Sequence, residues 1–417
     1  MISLPEDFIR ETRLVMGEER FNRFLEALNE EPPVSIRLNP EKAFSLKSGH
    51  AIHIPWCTEG YYLEERPQFT FDPLFHAGCY YVQEASSMFI SHILRQFVKG
   101  PMAMLDLCAA PGGKSTSACS VLPKGSLLMS NEPIPTRAQI LMENITKWGW
   151  PDCIVTNNFP RDFRKIKTRF DIILCDVPCS GEGMFRKDPA TISEWSTQNV
   201  EKCWRLQREI VADAWECLNP GGLLIYSTCT FNLKEDEENV RWILDNFDAE
   251  ILEIPTSPSW HITGSLLNGF EVPVYRFIPG IAQGEGLFAA VLRKQGDGSF
   301  VRQKNRPPVS KSLIPLISSK LKVLTPDLPQ GDFPSIDVNY GEALKYLRGE
   351  AIVLPADTPR GLVTITYKGV AIGPVKNIGN RANNLYPKPW RIKTTHLPSE
   401  APEVLQIVKN VNSQIVK

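Results

Sequence analysis

The sequence predicts an α/β protein: a doubly wound, largely parallel sheet, with an α+β region before it and a small β-rich domain after it. Three observations carry that reading. Six short apolar runs, at 102–107, 126–131, 152–157, 170–176, 222–229 and 287–293, alternate with helix-compatible stretches, the pattern of parallel strands linked by helical crossovers. Ahead of them, residues 33–82 hold short extended pieces (SIRLNP, GYYLEERP, GCYYVQ) broken by Pro and Gly. Behind them, residues 295–340 become rich in Pro, Lys, Ser and Asp, and strand-like segments resume after Gly341. The 417 residues, 42% hydrophobic and 22% charged, are enough for roughly two to four domains with cores of their own.

Residues 1–30 read as two short helices, with Pro5 suited to a first turn and Phe21, Phe24, Leu25 and Leu28 at helical spacing. From Glu84 to Val98, the positions of Met88, Phe89, Ile93 and Phe97 predict an amphipathic helix. Between the fourth and fifth apolar runs, Trp204, Val211, Ala214, Trp215 and Leu218 mark one helix, which Asn219-Pro220-Gly221-Gly222 stops. In the tail, AIVLP, GLVTITYKGVAIGPV and WRIK read as short strands. The expected division is 1–82, 83–294, a connector at 295–340, and 341–417.

The net charge of −1 hides an asymmetry. Residues 301–417 carry 17 Lys+Arg against 8 Asp+Glu, and residues 1–300 carry 29 against 39. A basic tail on an acidic body points to a polyanion, most simply a nucleic acid. No run approaches the roughly 18 apolar residues of a membrane span, and MISLPEDFIRETR lacks the apolar stretch of a secretory signal. Ten cysteines with no CxxC pair argue for reduced thiols in a cytoplasmic protein rather than disulfides or structural zinc. The six histidines form no metal-spaced pair, so no metal is expected. Nothing requires an oligomer.

Four segments carry chemistry. CAAPGGKS, Cys108 to Ser115, follows the first run of the sheet; its glycines let backbone approach a ligand at a helix N-terminus, although it is neither GxGxxG nor a Walker loop. Glu132 ends the second run, where an acid can accept hydrogen bonds from ribose hydroxyls. CDVPCSGEGMFRKDP brings Asp176 and then Cys179 to the end of the fourth run, and YSTCTFNLKEDEENV brings Cys229 to the end of the fifth. Strand ends are where open α/β sheets place their sites, and two thiols there can converge on one ligand. The acidic run Glu235–Glu238 reads as the solvated first turn of a helix.

At these segments the chain resembles the RNA cytosine-5 methyltransferases of the Sun/Fmu-like group. The motifs are DLCAAPGGKS, CDVPCSGEGMFRKDP and YSTCT in that order, joined by YVQEASSMF (81–89) and SIRLNP (35–40). GPVKNIGNRANNLYPKPWRI resembles the PUA-like RNA-binding domain of the bacterial branch that modifies small-subunit ribosomal RNA. The resemblance implies a Rossmann-like methyltransferase sheet, S-adenosyl-L-methionine as cofactor, and ribosomal RNA or the small ribosomal subunit as partner, with no membrane. It implies a cofactor loop of Cys108, Ala109, Ala110, Pro111, Gly112, Gly113 and Lys114, a ribose contact at Glu132, and Asp176 between cofactor and base. Cys229 would be the nucleophile and Cys179 would assist product release; spacing alone leaves the reverse assignment open, since in DNA cytosine methyltransferases the cysteine after a proline attacks. One position departs from the family: Phe159 stands where an acid near the adenine is usual, so that Asn158 or Asp162 compensates or the adenine stacks on Phe159.

For RNA contacts the candidates are Arg37 and Asn39 near the site, Arg186 and Lys187 on the GEGMFRKDP loop, and Lys376, Arg381, Lys388 and Arg391 in the tail, interleaved with Tyr386 and Trp390. Basic groups hold phosphates and aromatics stack bases, although both aromatics are equally suited to the core. A transfer-RNA methyltransferase shares the mechanism, and an RNA-binding assembly factor with a vestigial site is the rival from another class, motivated by Phe159.

Overall fold

The computed structural model describes residues 2–42, 44–46, 51–166, 168–296, 319–329, 331–394, 396–402 and 404–407. Helices α1 (Glu6–Met16) and α2 (Glu18–Leu28) open the chain. They part at Gly17, whose φ of +74° lies in the left-handed region that glycine tolerates. Phe8, Phe21, Phe24 and Leu28 bury the shared face against Phe185, Trp195, Phe231 and Ile278, so the helices cover the loops that carry Cys179 and Cys229. Strands β1 (Val34–Leu38), β2 (Phe44–Leu46), β3 (Ala51–His53), β4 (Gly60–Leu63) and β5 (Tyr80–Val82) follow. Four of them form an antiparallel sheet in the order β3-β4-β1-β5. The short helix α3 (Pro73–His76) starts where the Asp72 carboxylate accepts from the Leu74 N–H. The expected amphipathic helix is α4 (Phe89–Phe97), preceded by a 3-10 turn at Ser86–Met88.

The central sheet contains every run predicted for it: β6 (Ala103–Asp106), β7 (Leu127–Asn131), β8 (Cys153–Thr156), β9 (Phe170–Asp176), β10 (Leu218–Thr228) and, after β11 (Ala249–Ile251) and β12 (Tyr275–Phe277), β13 (Leu287–Lys294). Between them lie α5 (Gly113–Cys119), α6 (Pro135–Trp148), α7 (Ala190–Glu194), α8 (Thr197–Cys217) and α9 (Glu237–Asn246). The order is β11-β13-β10-β9-β6-β7-β8-β14, where β14 is Val323–Leu324 and β12 lies on β13. Strands β10, β9, β6, β7 and β8 are parallel to one another, while β13 is antiparallel to β10 and β14 antiparallel to β8. The strands are apolar on both faces, as a parallel sheet between helix layers requires. Leu105 and Ile173 belong to one core, and Met104, Ile172 and Leu174 to the other. The order in which strands are added reverses at β6, with β7 and β8 on one side and β9 and β10 on the other, which makes the gap between the carboxyl ends of β6 and β9 the switch point where ligands bind.

The tail contains β15 (Ser335–Asp337), α10 (Tyr340–Leu347), β16 (Gly361–Tyr367), β17 (Val370–Asn377) and β18 (Ala382–Asn384), with the sheet order β15-β16-β17-β18. Strand β19 (Leu405–Ile407) runs back to pair with β2. Three expectations change here. AIVLP makes only a bridge, Ile352 to Ala382, and WRIK forms no strand, because Lys388–Trp390 is a 3-10 turn. Helix α10 begins at a reciprocal cap between Asn339 and Glu342, an N-x-x-E signal that the strand pattern overshadowed. The connector is structured at both ends of its described part: β14 pairs with β8 on the edge of the central sheet, and β15 pairs with β16. The tail core is continuous with the N-terminal sheet through Ile36, Phe69, Leu74 and Tyr80.

Candidate active site

After β6 the chain must turn sharply into α5. Gly112 makes the turn at φ +114°, and a side chain there would meet Leu141 Cδ1 at 3.2 Å. The turn is held from outside: Ala109 N donates to Asn131 O (2.7 Å), Arg137 to Ala110 O (3.0 Å), and Asn144 Nδ2 to Pro111 O (2.8 Å). Cys108, Ala109 and Ala110 are buried. Burial, with the nearby Cys175 and Asp106, pushes the Cys108 thiol well up, so Cys108 is a packing residue of the loop. Beneath the loop, Asp106 Oδ2 accepts from Ser115 Oγ at 2.6 Å, while its Oδ1 is buried with no hydrogen-bond partner. Burial raises this carboxyl to about 7. Glu132, 1% exposed, accepts from Ile134 N at 2.9 Å and lies 3.6 Å from Arg137.

Phe159 is 57% exposed at the end of β8, with Arg161 5.2 Å from its ring centre. Neither proposed substitute for the missing acid is free. Asn158 is tied through both side-chain atoms to the backbone of Lys322 beside β14, and Asp162 accepts from Phe159 N and pairs with Lys165.

The thiols of Cys179 and Cys229 lie 3.2 Å apart, although 50 residues separate them in sequence. Adjacent parallel strands β9 and β10 deliver them to the same sheet edge. Beside them Asp176 accepts from Ser227 Oγ at 2.8 Å and pairs with Lys114 Nζ at 2.7 Å, which links the loop after β6 to the ends of β9 and β10. Burial works against the Lys114 charge, but Asp176, with smaller help from Cys229 and Asp106, raises its pKa above the usual lysine value. The Cys179 pKa is held well above that of an ordinary thiol by its hydrogen bond to Cys229, by burial, and by the Cys229 and Glu235 charges.

The acidic run after Cys229 is not a solvated helix turn. Glu235, Asp236 and Glu237 are fully buried. Arg276, also buried, pairs with Asp236 at 2.9 Å and with Glu237, and Glu235 accepts from Ser180 N and Gln207 Nε2. On the other loop, buried Glu182 accepts from Phe231 N and Asn232 N. Reading the sequence alone missed Glu182, Gln207, Glu235 and Arg276, because nothing local marks a charge whose partner lies tens of residues away.

The RNA candidates divide. Arg37 is fully buried: it donates to Gln83 Oε1 (2.8 Å), Ser120 Oγ (2.9 Å), Thr116 Oγ1 (2.5 Å) and the carbonyls of Thr116 and Gly113, and lies 4.5 Å from the Trp148 ring centre. Asn39 is buried against the carbonyls of Gly78 and Trp148. Both lock the N-terminal sheet onto α5 and α6 and face no phosphate. Arg186 grips Glu285 with two hydrogen bonds (2.9 and 2.7 Å) and caps α2 at Ala27 O; it is a structural clamp. Arg391 turns back onto Tyr386 O, and Tyr386, 2% exposed, belongs to the core, which removes it as a stacking platform. Lys187, Lys376, Arg381 and Lys388 are exposed.

The switch-point groups fit an elongated nucleoside ligand with a cationic end: a glycine turn for close approach, an unpartnered carboxylate oxygen on Asp106, a buried Glu132, and an exposed ring at Phe159. Among the described residues, no group of three or more His, Cys, Asp or Glu is arranged to hold a metal ion, and no helix is long and apolar enough to cross a membrane.

Comparison with known proteins agrees with this geometry. The family profile described as 16S rRNA methyltransferase RsmB/F matches residues 98–293, the N-terminal domain of 16S rRNA methyltransferase RsmF matches 4–85, and the methyltransferase RsmF PUA domain matches 333–392. Ribosomal RNA small subunit methyltransferase F of Pectobacterium atrosepticum is 34% identical over 313 residues, which is 70% of this chain and 63% of that protein. A methyltransferase homologue from Pyrococcus horikoshii superimposes with TM-score 0.57 at 27% identity, covering 70% of this chain and all of the other. NSun6 from the same organism, solved with SFG, shares the fold at TM-score 0.59 and 20% identity over 70% of this chain and 99% of its own. Three profiles of one enzyme group follow one another along a Rossmann-like sheet with a PUA domain behind it, so that the chain is similar over most of its length to the RsmB/F group of 16S rRNA methyltransferases, while it spans less than two thirds of the length of the curated relatives it matches.

Proposed function

We propose that the protein transfers a methyl group from S-adenosyl-L-methionine to carbon 5 of a cytosine in RNA, with small-subunit ribosomal RNA as the substrate, through a covalent adduct on Cys229. The observation that carries this is the 3.2 Å thiol pair at the ends of β9 and β10 beside Asp176. A single cysteine suffices to attack a pyrimidine ring; a second thiol at contact distance suits a reaction that must also undo the attack. We take Cys229 as the nucleophile, as the YSTCT motif implies, and Cys179 as the second thiol that assists product release.

Cofactor binding would use the turn from Cys108 to Lys114, the Asp106 and Glu132 carboxylates and the Phe159 ring, on which the adenine stacks. Once bound, S-adenosylmethionine supplies an electrophilic methyl group on a sulfonium. The Cys229 thiolate would add to carbon 6 of the cytosine, and the new S–C bond would make carbon 5 an enamine-like nucleophile able to accept the methyl group as its bond to the sulfonium sulfur breaks and the neutral thioether leaves. Asp176, fixed by Ser227 and Lys114, orients the pyrimidine at its polar edge. Carbon 5 then loses its proton, through Cys179 or a water held there, and the Cys229 thiolate departs as the ring double bond reforms. The target base has to leave any helical stack to reach these groups.

The family supports ribosomal RNA over transfer RNA, and the exposed Lys187, Lys376, Arg381 and Lys388 are the phosphate contacts of this reading. Residues 1–82 and the tail, taken from Ser335, flank the methyltransferase domain as the RNA-binding parts. Ten free thiols suit the cytoplasm. The test is Cys179→Ala mixed with small-subunit ribosomal RNA and S-adenosylmethionine and resolved on a denaturing gel. A protein–RNA band that disappears in the Cys179→Ala/Cys229→Ala double variant supports the assignment. A band from Cys229→Ala instead reverses the two roles, and no band from either variant refutes the covalent route on this RNA.

A further inference from the structure

Around the two thiols the loops hold each other in a crossed manner. The Cys179 loop is fixed on both flanks: Gln207 Nε2 donates to Pro178 O at 2.9 Å, and Ser180 N donates to Glu235 Oε2 at 3.0 Å. The same Oε2 accepts from Gln207 Nε2 at 2.7 Å, so one carboxylate oxygen joins both flanks of Cys179. Glu235 itself lies on the segment that follows Cys229. Conversely, Glu182 lies on the Cys179 loop and holds the turn that follows Cys229. Its Oε2 accepts from Phe231 N (2.6 Å) and Asn232 N (3.1 Å), and its Oε1 from Trp195 Nε1 (3.0 Å). Asn232 Nδ2 bridges the two carboxylates, donating to Glu182 Oε1 and Glu235 Oε1 at 2.9 Å each. Gly183 N completes the crossing with a 2.6 Å hydrogen bond to Cys229 O.

We infer that Glu235 and Glu182 are positioning residues with separate duties: Glu235 sets Cys179 for release of the product, and Glu182 sets Cys229 for attack. The inference rests on the reaction proposed above. Neither carboxylate touches the thiols, so each acts through backbone. Both are buried and every neighbour named above is a donor, so an amide in place of either carboxylate keeps one acceptor oxygen but sets an N–H against another N–H group and loosens the loop it holds. Two buried acids kept this close are costly as pure scaffolding; holding two loops in a register that neither could keep alone accounts for them.

The experiment compares full-length wild type, Cys179→Ala, Glu235→Gln and Glu182→Gln with small-subunit ribosomal RNA and S-adenosylmethionine, on denaturing gels and in single-turnover assays. Glu235→Gln should behave as a weakened Cys179→Ala: a protein–RNA band accumulates, and steady-state turnover falls about 10- to 100-fold, while methyl transfer in the first turnover stays within about threefold of wild type. Glu182→Gln should do the opposite, with little band of its own, and the Glu182→Gln/Cys179→Ala double variant should build its band at least about tenfold more slowly than Cys179→Ala. If Glu235→Gln does not melt cooperatively, Gln207→Met, which removes the hold on Pro178 O, is read in the same way. A merely structural role would slow both steps alike, and that result overturns the inference. A band from Cys179→Ala with none from Glu235→Gln or Gln207→Met overturns it too, leaving the reaction intact. No band from Cys179→Ala overturns the reaction and the inference with it.

Discussion

Gly183→Ala is the smallest change that tests the thiol geometry. A Cβ built on Gly183 would lie 2.5 Å from Cys229 O and 3.2 Å from Cys229 Cβ. A carbon–oxygen contact needs about 3.3 Å, so the two loops must separate by about 0.8 Å. Gly286 packs against the same turn, where a Cβ built on it would sit 3.2 Å from Gly183 Cα. The methyl added at Gly183 bears directly on the Cys229 turn. Overpacking of this size costs about 1–3 kcal/mol, a fall in Tm of roughly 2–12 °C for domains of this size. A misplacement near 1 Å at reacting groups costs on the order of 100-fold in rate. The expected result is thus a folded protein with a modestly lower Tm and about a hundredfold lower rate of methyl transfer to RNA, measured with labelled S-adenosylmethionine. Activity within threefold of wild type at an equal Tm would refute the claim that the 3.2 Å thiol contact matters to the chemistry.

Three further outcomes are expected. Arg37→Leu should lower stability by about 2–4 kcal/mol, because it strips buried acceptors on α5 of their donor; chemical denaturation measures this, and the salt dependence of RNA binding should not move, since the side chain is buried. Cofactor affinity should rise with pH between 6 and 8. Burial lifts the Asp106 carboxyl to about 7, a cationic ligand favours its ionised form, and binding therefore releases a proton below that pKa, with up to about tenfold in Kd per pH unit; calorimetry in two buffers tests the sign, and Asp106→Asn should flatten the curve. Lys376, Arg381 and Lys388 replaced together by Ala should reduce the slope of log affinity against log salt by about two, read by fluorescence anisotropy on ribosomal RNA; an unchanged slope would remove the tail from the RNA interface.

Much of this protein was legible before its structure. The central strands coincide with short apolar runs, and the end of one crossover helix was readable: Asn219-Pro220-Gly221-Gly222 follows α8, which ends at Cys217, and forms the irregular start of β10. These are local properties, set by side-chain periodicity and by backbone preferences of single residues. The strand-end positions of Asp176, Cys179 and Cys229 could be read in the same way, because parallel strands of one sheet present their carboxyl ends on one edge. The tail was less legible. Its short strands alternate weakly, and the cap that starts α10 competes with them over a few residues.

Charged residues were where sequence reading failed, and the failures share one cause. Arg37, Arg186 and Glu235–Glu237 looked like surface charges because charged residues mostly are. Whether such a group faces water or a partner depends on residues distant in the chain: Glu285 is 99 positions from Arg186, and Arg276 is 39 from Glu237. By itself the sequence determined the strands, the order of the motifs and the chemistry available at each strand end, since these follow from local pattern. Only the tertiary structure decided that two of the ten thiols meet at 3.2 Å, that the acids beside them are buried clamps, and that some expected RNA contacts are internal struts. Burial and pairing come from the packing of distant segments, which no local pattern encodes.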